Sequence, residues 1–232
     1  MRATIRYILI FLVFISAFPL AGQGFSDVNW HFAGNNRALI FGKDNGAEPI
    51  IDFGKVQQLN PGEKVTITDP ISGDLVAYTD GNTLFDASNN PMQNGEGILT
   101  DPSGLQAMAA SPVPGPGGTG KYYLFHRNIS GEILATIIDQ TLQGNRADGP
   151  PAGAVTTKNS PMGVTGRGDG MLTVASADGN TFWLVTQAAN GGLIEFYEVP
   201  FEGGTLSSAG NINLTTSITT ATFSFHPGTG RI

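Results

Sequence analysis

Cysteine is absent from the chain, which excludes thiol nucleophiles, thiolate metal sites and disulfide staples. Charge is scarce as well. Only 13% of the 232 residues are Asp, Glu, Lys or Arg. Acidic residues outnumber basic ones, 19 to 12, for a net charge of −7. A field of that sign repels nucleic acid and anionic membrane surfaces, and neither is expected as a partner. The histidines are His31, His126 and His226. They are far apart and have no carboxylate at ligand spacing, so no local zinc site is read from them. No G-x-S-x-G occurs, which leaves an α/β-hydrolase nucleophile unsupported. Amphipathic helical periodicity is missing too. Its one rival is "GLQAMAAS", Gly104 to Ser111, whose Ala and Met favour helix, and Pro112 and Pro114 limit it to two turns.

What the chain has in quantity is helix breakers: 32 glycines and 14 prolines. Short β-branched or aromatic runs lie between them and predict strands. These are Ala38 to Phe41, Val65 to Thr68, Leu75 to Asp80, Lys121 to Arg127, Ile133 to Asp139, Met171 to Ser176, Thr181 to Gln187, Leu193 to Val199 and Ala221 to Phe225. Asp-Gly at "TDGN" (Thr79 to Asn82) and "ADGN" (Ala177 to Asn180) signals hairpin turns. The expectation is an all-β chain.

The N-terminus reads differently. Arg2 and Arg6 precede an unbroken apolar run from Ile8 to Phe18, and Pro19 and the small residues Ala21, Gly22 and Gly24 follow. This is the pattern of a secretory signal peptide, with cleavage expected between Ala21 and Gly24. A membrane anchor is the alternative, but the run is short for a spanning helix. Residues 1–23 are assigned to the signal and 24–232 to one β-rich domain. A secreted or outer-surface location follows, with no stable membrane insertion after cleavage. Export without cysteine fits a bacterial envelope or extracellular protein.

An internal repeat is visible at a shift of sixty residues. "YYLF" (Tyr122 to Phe125) lies on "FWLV" (Phe182 to Val185), and "ILAT" (Ile133 to Thr136) on "LIEF" (Leu193 to Phe196). Two strand pairs with one spacing point to blades of a β-propeller, with a β-sandwich as the alternative. The repeat also bears on "GPGGTGK", Gly115 to Lys121, which has the spacing of a phosphate-binding loop. Such a loop needs Ser or Thr after the Lys and a helix behind it. Tyr122 follows instead, at the head of a strand. The segment is read as an exposed turn, and no nucleotide or other cofactor is expected.

Four stretches carry a family resemblance: "NWHFAGNNRALIF" (Asn29 to Phe41), "SGDLVAYTDGNTLFDASNNPMQNG" (Ser72 to Gly95), "LQAMAASPVPGPGGTGKYYLF" (Leu105 to Phe125) and "GNTFWLVTQ" (Gly179 to Gln187). In this order they resemble the N-terminal region of large exported Bacteroidetes proteins, some of them gliding-motility-associated. The resemblance implies an N-terminal β-propeller, often followed by PKD-like modules and a sorting domain for type IX secretion. It implies no catalytic residues. Arg37 and Gly115 to Gly120 depart from the family pattern. "ATFSFHPGTGRI" (Ala221 to Ile232) resembles the start of a further blade. The expectation is therefore an incomplete propeller of about three to four blades, truncated at the C-terminus.

Candidate sites are few. Asp80, Asp86 and Asn89 can face a cation from one loop cluster, but no D-x-[DN]-x-[DN]-G loop exists, and turn chemistry explains the same residues. Arg167-Gly168-Asp169 is an RGD tripeptide, read as coincidence in a Gly-rich loop. Trp30, Tyr78, Trp183 and Tyr197 are either packing residues or faces for sugar rings. The leading functional reading is a non-catalytic surface or secreted binding module for an extracellular glycan or surface protein. One alternative is a hydrolase of polysaccharide or peptide using Asp80, Asp86 or Asp178 at strand ends. The other is a structural segment of a longer adhesin.

Overall fold

The structure, a computed structural model, describes residues 29–31, 37–40, 50–53, 64–176 and 180–214. Every regular element among them is a β-strand. A three-stranded sheet comes first: β1 (Asn29–His31), β2 (Arg37–Ile40) and β3 (Ile50–Phe53). Three antiparallel meanders of four strands follow. The first holds β4 (Val65–Thr68), β5 (Leu75–Thr79), β6 (Thr83–Asp86) and β7 (Pro91–Glu96). The second holds β8 (Met108–Pro112), β9 (Lys121–Arg127), β10 (Ile133–Asp139) and β11 (Ala154–Pro161). The third holds β12 (Arg167–Ala175), β13 (Phe182–Ala188), β14 (Leu193–Glu198) and β15 (Ser207–Asn213). Gln93 of β7 and Ala154 of β11 form one parallel pair, which joins the first two meanders into an eight-stranded sheet.

Strand β9 shows why the meanders stack. Its side chains alternate between the two faces of the sheet, as any strand's do. Tyr122 and Leu124 enter an apolar cluster with Ile67, Val76, Leu84 and Met92 of the first meander. Tyr123 and Phe125 enter a second cluster with Met171, Leu184 and Tyr197 of the third. A strand buried on both faces has no polar alternation, and "KYYLFHR" has none. β10 is buried along its whole length for the same reason. The leading strands β4, β8 and β12 contact one another in succession, and β1 contacts β4. The Thr173 hydroxyl of β12 donates to the Ala110 carbonyl of β8.

The outermost strands are the exposed ones, β15 above all. An open strand edge invites pairing with other chains. The edge of β7 is covered by side chains of its neighbours. Lys158 donates to the carbonyls of Asn94 (3.3 Å) and Glu96 (2.7 Å), Asn159 to Gly97 (2.9 Å) and Asn145 to Pro91 (3.1 Å).

Several expectations change in detail. Met108–Pro112, inside or beside the segment with helical propensity, is a strand, because its backbone pairs with β9 from Met108 opposite His126 to Pro112 opposite Tyr122. The sixty-residue repeat corresponds to structure: Tyr122 to Phe125 and Phe182 to Val185 both lie in the second strand of a meander. The third strands are offset by one residue more. Leu124 faces Thr136, and the equivalent Leu184 faces Tyr197 where a shift of sixty predicts Phe196. The hairpin between β13 and β14 holds the extra residue. The signal segment and Ala221 to Phe225 lie outside the described residues. Among the described residues, no helix is long and apolar enough to cross a membrane.

Candidate functional site

The carboxylates proposed as ligands or catalysts are engaged in their own turns. Asp80 Oδ1 accepts from the amides of Asn82 (3.0 Å) and Thr83 (2.8 Å) between β5 and β6. Asp86 Oδ1 accepts from Ser88 (2.7 Å) and Asn90 (3.0 Å) between β6 and β7. Asn89 has φ of 67°, and its Oδ1 accepts from the Tyr78 hydroxyl at 2.9 Å. Asn tolerates that left-handed conformation, which the turn requires. Asp80 and Asp86 sit at opposite ends of β6, on the order of 10 Å apart at strand rise. No group of three His, Asp or Glu side chains able to hold a metal occurs among the described residues. Asp86 borders a cleft of about 310 Å³ with Ser88, Gln140 and Arg146, but Arg146 is itself bound to the Pro150 carbonyl and the Ser88 hydroxyl. Asp178 lies outside the described residues.

The aromatic candidates separate by position. Tyr78 is fully buried and stacks on Phe85, with centroids 5.2 Å apart. Tyr197 is buried in the cluster between the second and third meanders, and its hydroxyl donates to Glu195 at 3.1 Å. Neither offers a face to a sugar, and both serve as packing residues. Trp183 is half-buried in β13, opposite Val174 and Glu198. Trp30 pairs with Leu39 through its backbone, and its side chain lies outside the described residues.

The RGD tripeptide opens β12, and its charges are held inside the protein. Arg167 forms an ion pair with Glu195 and donates through Nε to the Thr165 carbonyl at 3.0 Å. Asp169 accepts from Arg127 Nη2 at 2.6 Å, and the same nitrogen lies 2.9 Å from Asp101 Oδ2. This Asp101–Arg127–Asp169 centre ties the β7–β8 loop to β9 and β12. Burial pushes the Asp101 carboxyl up, but bonds from Ser103 and the charge of Arg127 outweigh that and hold it below the ordinary range. Gly104 fits against this centre because it has no side chain. A Cβ there would stand 2.6 Å from Ala107 Cβ and 3.2 Å from Arg127 Nη2.

His126 is wholly buried beside that centre. Its Nδ1 lies 3.2 Å from the Leu99 carbonyl, which can only accept, so Nδ1 carries the proton. Nε2 then accepts from the Thr136 hydroxyl at 3.0 Å, and that oxygen in turn accepts from the Asn159 amide at 3.3 Å. Burial lowers the imidazole pKa from 6.5 to about 4, against a smaller opposing effect of the Leu99 carbonyl. The neutral ring is a structural bridge between the β7–β8 loop, β9, β10 and β11.

The glycine-rich segment is a turn between β8 and β9. Gly118 donates to the Gly115 carbonyl (3.0 Å) and Lys121 to the Gly118 carbonyl (2.8 Å). Gly115, Pro116, Gly117 and Thr119 are exposed, while Gly118 is buried, where a Cβ would collide with the Val113 carbonyl oxygen. Lys121 Nζ is 2.6 Å from Glu202 and 3.9 Å from Asp139. These bonds, Glu202 first, raise the Lys121 pKa.

The most exposed aromatic among the described side chains was not among the sequence candidates. Phe201, in the turn between β14 and β15, is 67% exposed. The available signal was an aromatic between Pro200 and Gly203, outside any strand pattern. No family model matches the chain, and neither a curated protein nor a solved structure matches it.

Proposed function

We propose that the chain is a non-catalytic, exported binding module whose four-stranded meanders are successive blades of a β-propeller. The observation that carries the reading is the succession of leading strands, β4 to β8 to β12, with the second meander buried on both faces. A two-sheet sandwich buries one face of each sheet, whereas a blade between two blades buries both. The resemblance to exported surface proteins and the signal-like N-terminus support secretion. The turn-bound state of Asp80 and Asp86 favours binding over hydrolysis, because each carboxylate already accepts two backbone amides.

The partner expected is an extracellular glycan or a surface protein. The secreted chain, applied to a glycan array and to a cell-adhesion assay, is expected to bind saturably and to leave the bound polymer intact. Absence of binding in both assays contradicts the reading. Hydrolysis of a polysaccharide or peptide that is lost in Asp80→Asn contradicts it from the other side.

A further inference from the structure

We propose that Phe201 is a saccharide-binding platform, its ring lying against the CH face of a neutral or cationic pyranose. The proposal rests on the binding-module reading above and gives it a place and a ligand class. Burial does not account for the position of this side chain, which is 67% exposed. Its turn is nevertheless fixed from several sides. The Phe201 carbonyl accepts from the Tyr123 hydroxyl at 3.1 Å and from the Gly204 amide at 3.0 Å. One edge of the ring rests on Gly115, where a Cβ would stand 2.5 Å from Cε1 and 2.6 Å from Cδ1. Gly115 has φ of 88°, so glycine is favoured there both by backbone conformation and by the approach of the ring. A preorganised, solvent-facing aromatic loses little freedom when a ligand stacks on it.

The surroundings select the ligand. Glu202, the next residue, binds Lys121 at 2.6 Å, with Asp139 3.9 Å from the same ammonium. Two carboxylates around one cation leave a net negative charge on the group that joins the Phe201 turn to the head of β9. That charge disfavours uronic and sialic acids and accepts hydroxyls or an amino sugar. The aromatic face meets the apolar side of a pyranose, and the polar rim meets its hydroxyls. Ile71, 86% exposed, lies at the tip of the β4–β5 turn, which is tied to β9 through the Asp69–Tyr122 bond of 2.7 Å. The β8–β9 turn leads into the same end of β9.

The test is binding of the full chain to immobilised neutral, amino and acidic oligosaccharides, compared among wild type, Phe201→Ala, Phe201→Trp and Ile129→Ala. Ile129 is an exposed apolar residue in the turn at the other end of β9. Thermal melts establish that each variant is folded. Wild type is expected to retain neutral or amino sugars in preference to acidic ones. Phe201→Ala should weaken that binding roughly tenfold or more, while Phe201→Trp and Ile129→Ala preserve it. Wild-type binding that Phe201→Ala leaves unchanged overturns the platform and leaves the binding-module reading standing. A preference for acidic sugars overturns the charge argument and with it the proposed ligand class. Phe201-dependent adhesion to a protein surface without any glycan binding overturns the saccharide. Binding to neither overturns both this proposal and the reading it rests on.

Discussion

Replacing Phe125 by Ala is expected to cost about 3–5 kcal/mol of folding stability, the range for removing a buried aromatic. The ring is fully buried, stacks on Tyr123 with centroids 5.0 Å apart, and sits in the cluster shared by the second and third meanders. A loss of that size is a large part of a domain's net stability of about 5–15 kcal/mol. The variant should therefore melt far earlier in urea or fail to accumulate. Ile129→Ala is the control. That side chain is 78% exposed at a hairpin tip, and truncating it should change stability by no more than about 0.5 kcal/mol. Equal midpoints for the two variants would mean that β9 is not the packed centre described above.

The second large effect concerns acid. The His126 pKa falls from 6.5 in the unfolded chain to about 4 in the fold. Between those values the unfolded chain binds a proton that the folded protein does not, so stability rises with pH across the window. The contribution is fully present above about pH 6.5 and is lost as pH falls toward 4. It amounts to roughly 3 kcal/mol at about 1.4 kcal/mol per unit. Burial is the cause, since a charged ring enclosed by the sheet loses its hydration, against a smaller opposing effect of the Leu99 carbonyl. Protonation of Nε2 would in addition set a donor against the Thr136 hydroxyl, which lies 3.0 Å away. Asp69 and Asp101 act in a different window. Burial pushes both up, but hydrogen bonds, and for Asp101 the charge of Arg127, hold both below the ordinary carboxylate value of 3.8. Their stabilisation is present above that value and is lost below it as pH falls through the folded pKa. Denaturant midpoints measured from pH 7 to pH 4 should therefore slope downward in the wild type and flatten in His126→Gln. An unchanged slope in that variant would assign the acid sensitivity to other groups.

Lys121 to Arg127, Ile133 to Asp139 and Val65 to Thr68 are legible to the residue. In β9 and β10 two-sided burial favours a dense run of apolar and β-branched side chains, and in β4 a short β-branched run stands between turn residues. The outer strands escaped the same reading. "PMQNGE", "AVTTKNSP" and "SSAGNIN" face solvent over much of their length, so nothing in their side chains has to be apolar. β8 was obscured in another way. Ala109 and Ala110 carry helical propensity, yet small residues serve here where β12 approaches closely enough for Thr173 to reach the Ala110 carbonyl. Tertiary approach overrides local preference at such a place.

The candidate site was less legible than the fold. Tyr78 and Tyr197 drew attention as aromatics in strands, but alternation alone does not say which face of a sheet meets another sheet. Asp80 and Asp86 carry the composition of a metal or catalytic cluster, and in the fold each closes a tight turn. Arg167 and Asp169 match a recognition tripeptide, while their partners Glu195 and Arg127 are remote in sequence. Phe201 carries no periodic signal in the sequence, because it is exposed in a turn.

The second meander is packed between the first and the third, with β9 at its centre. Amide hydrogen exchange tests this most directly, since protection follows hydrogen bonding and burial together. The slowest exchange among the described residues is expected within residues 122–127 and 133–139, with exchange faster by orders of magnitude in the outer strand at residues 207–213. Amides of β9 that exchange as fast as those of β15 would contradict it.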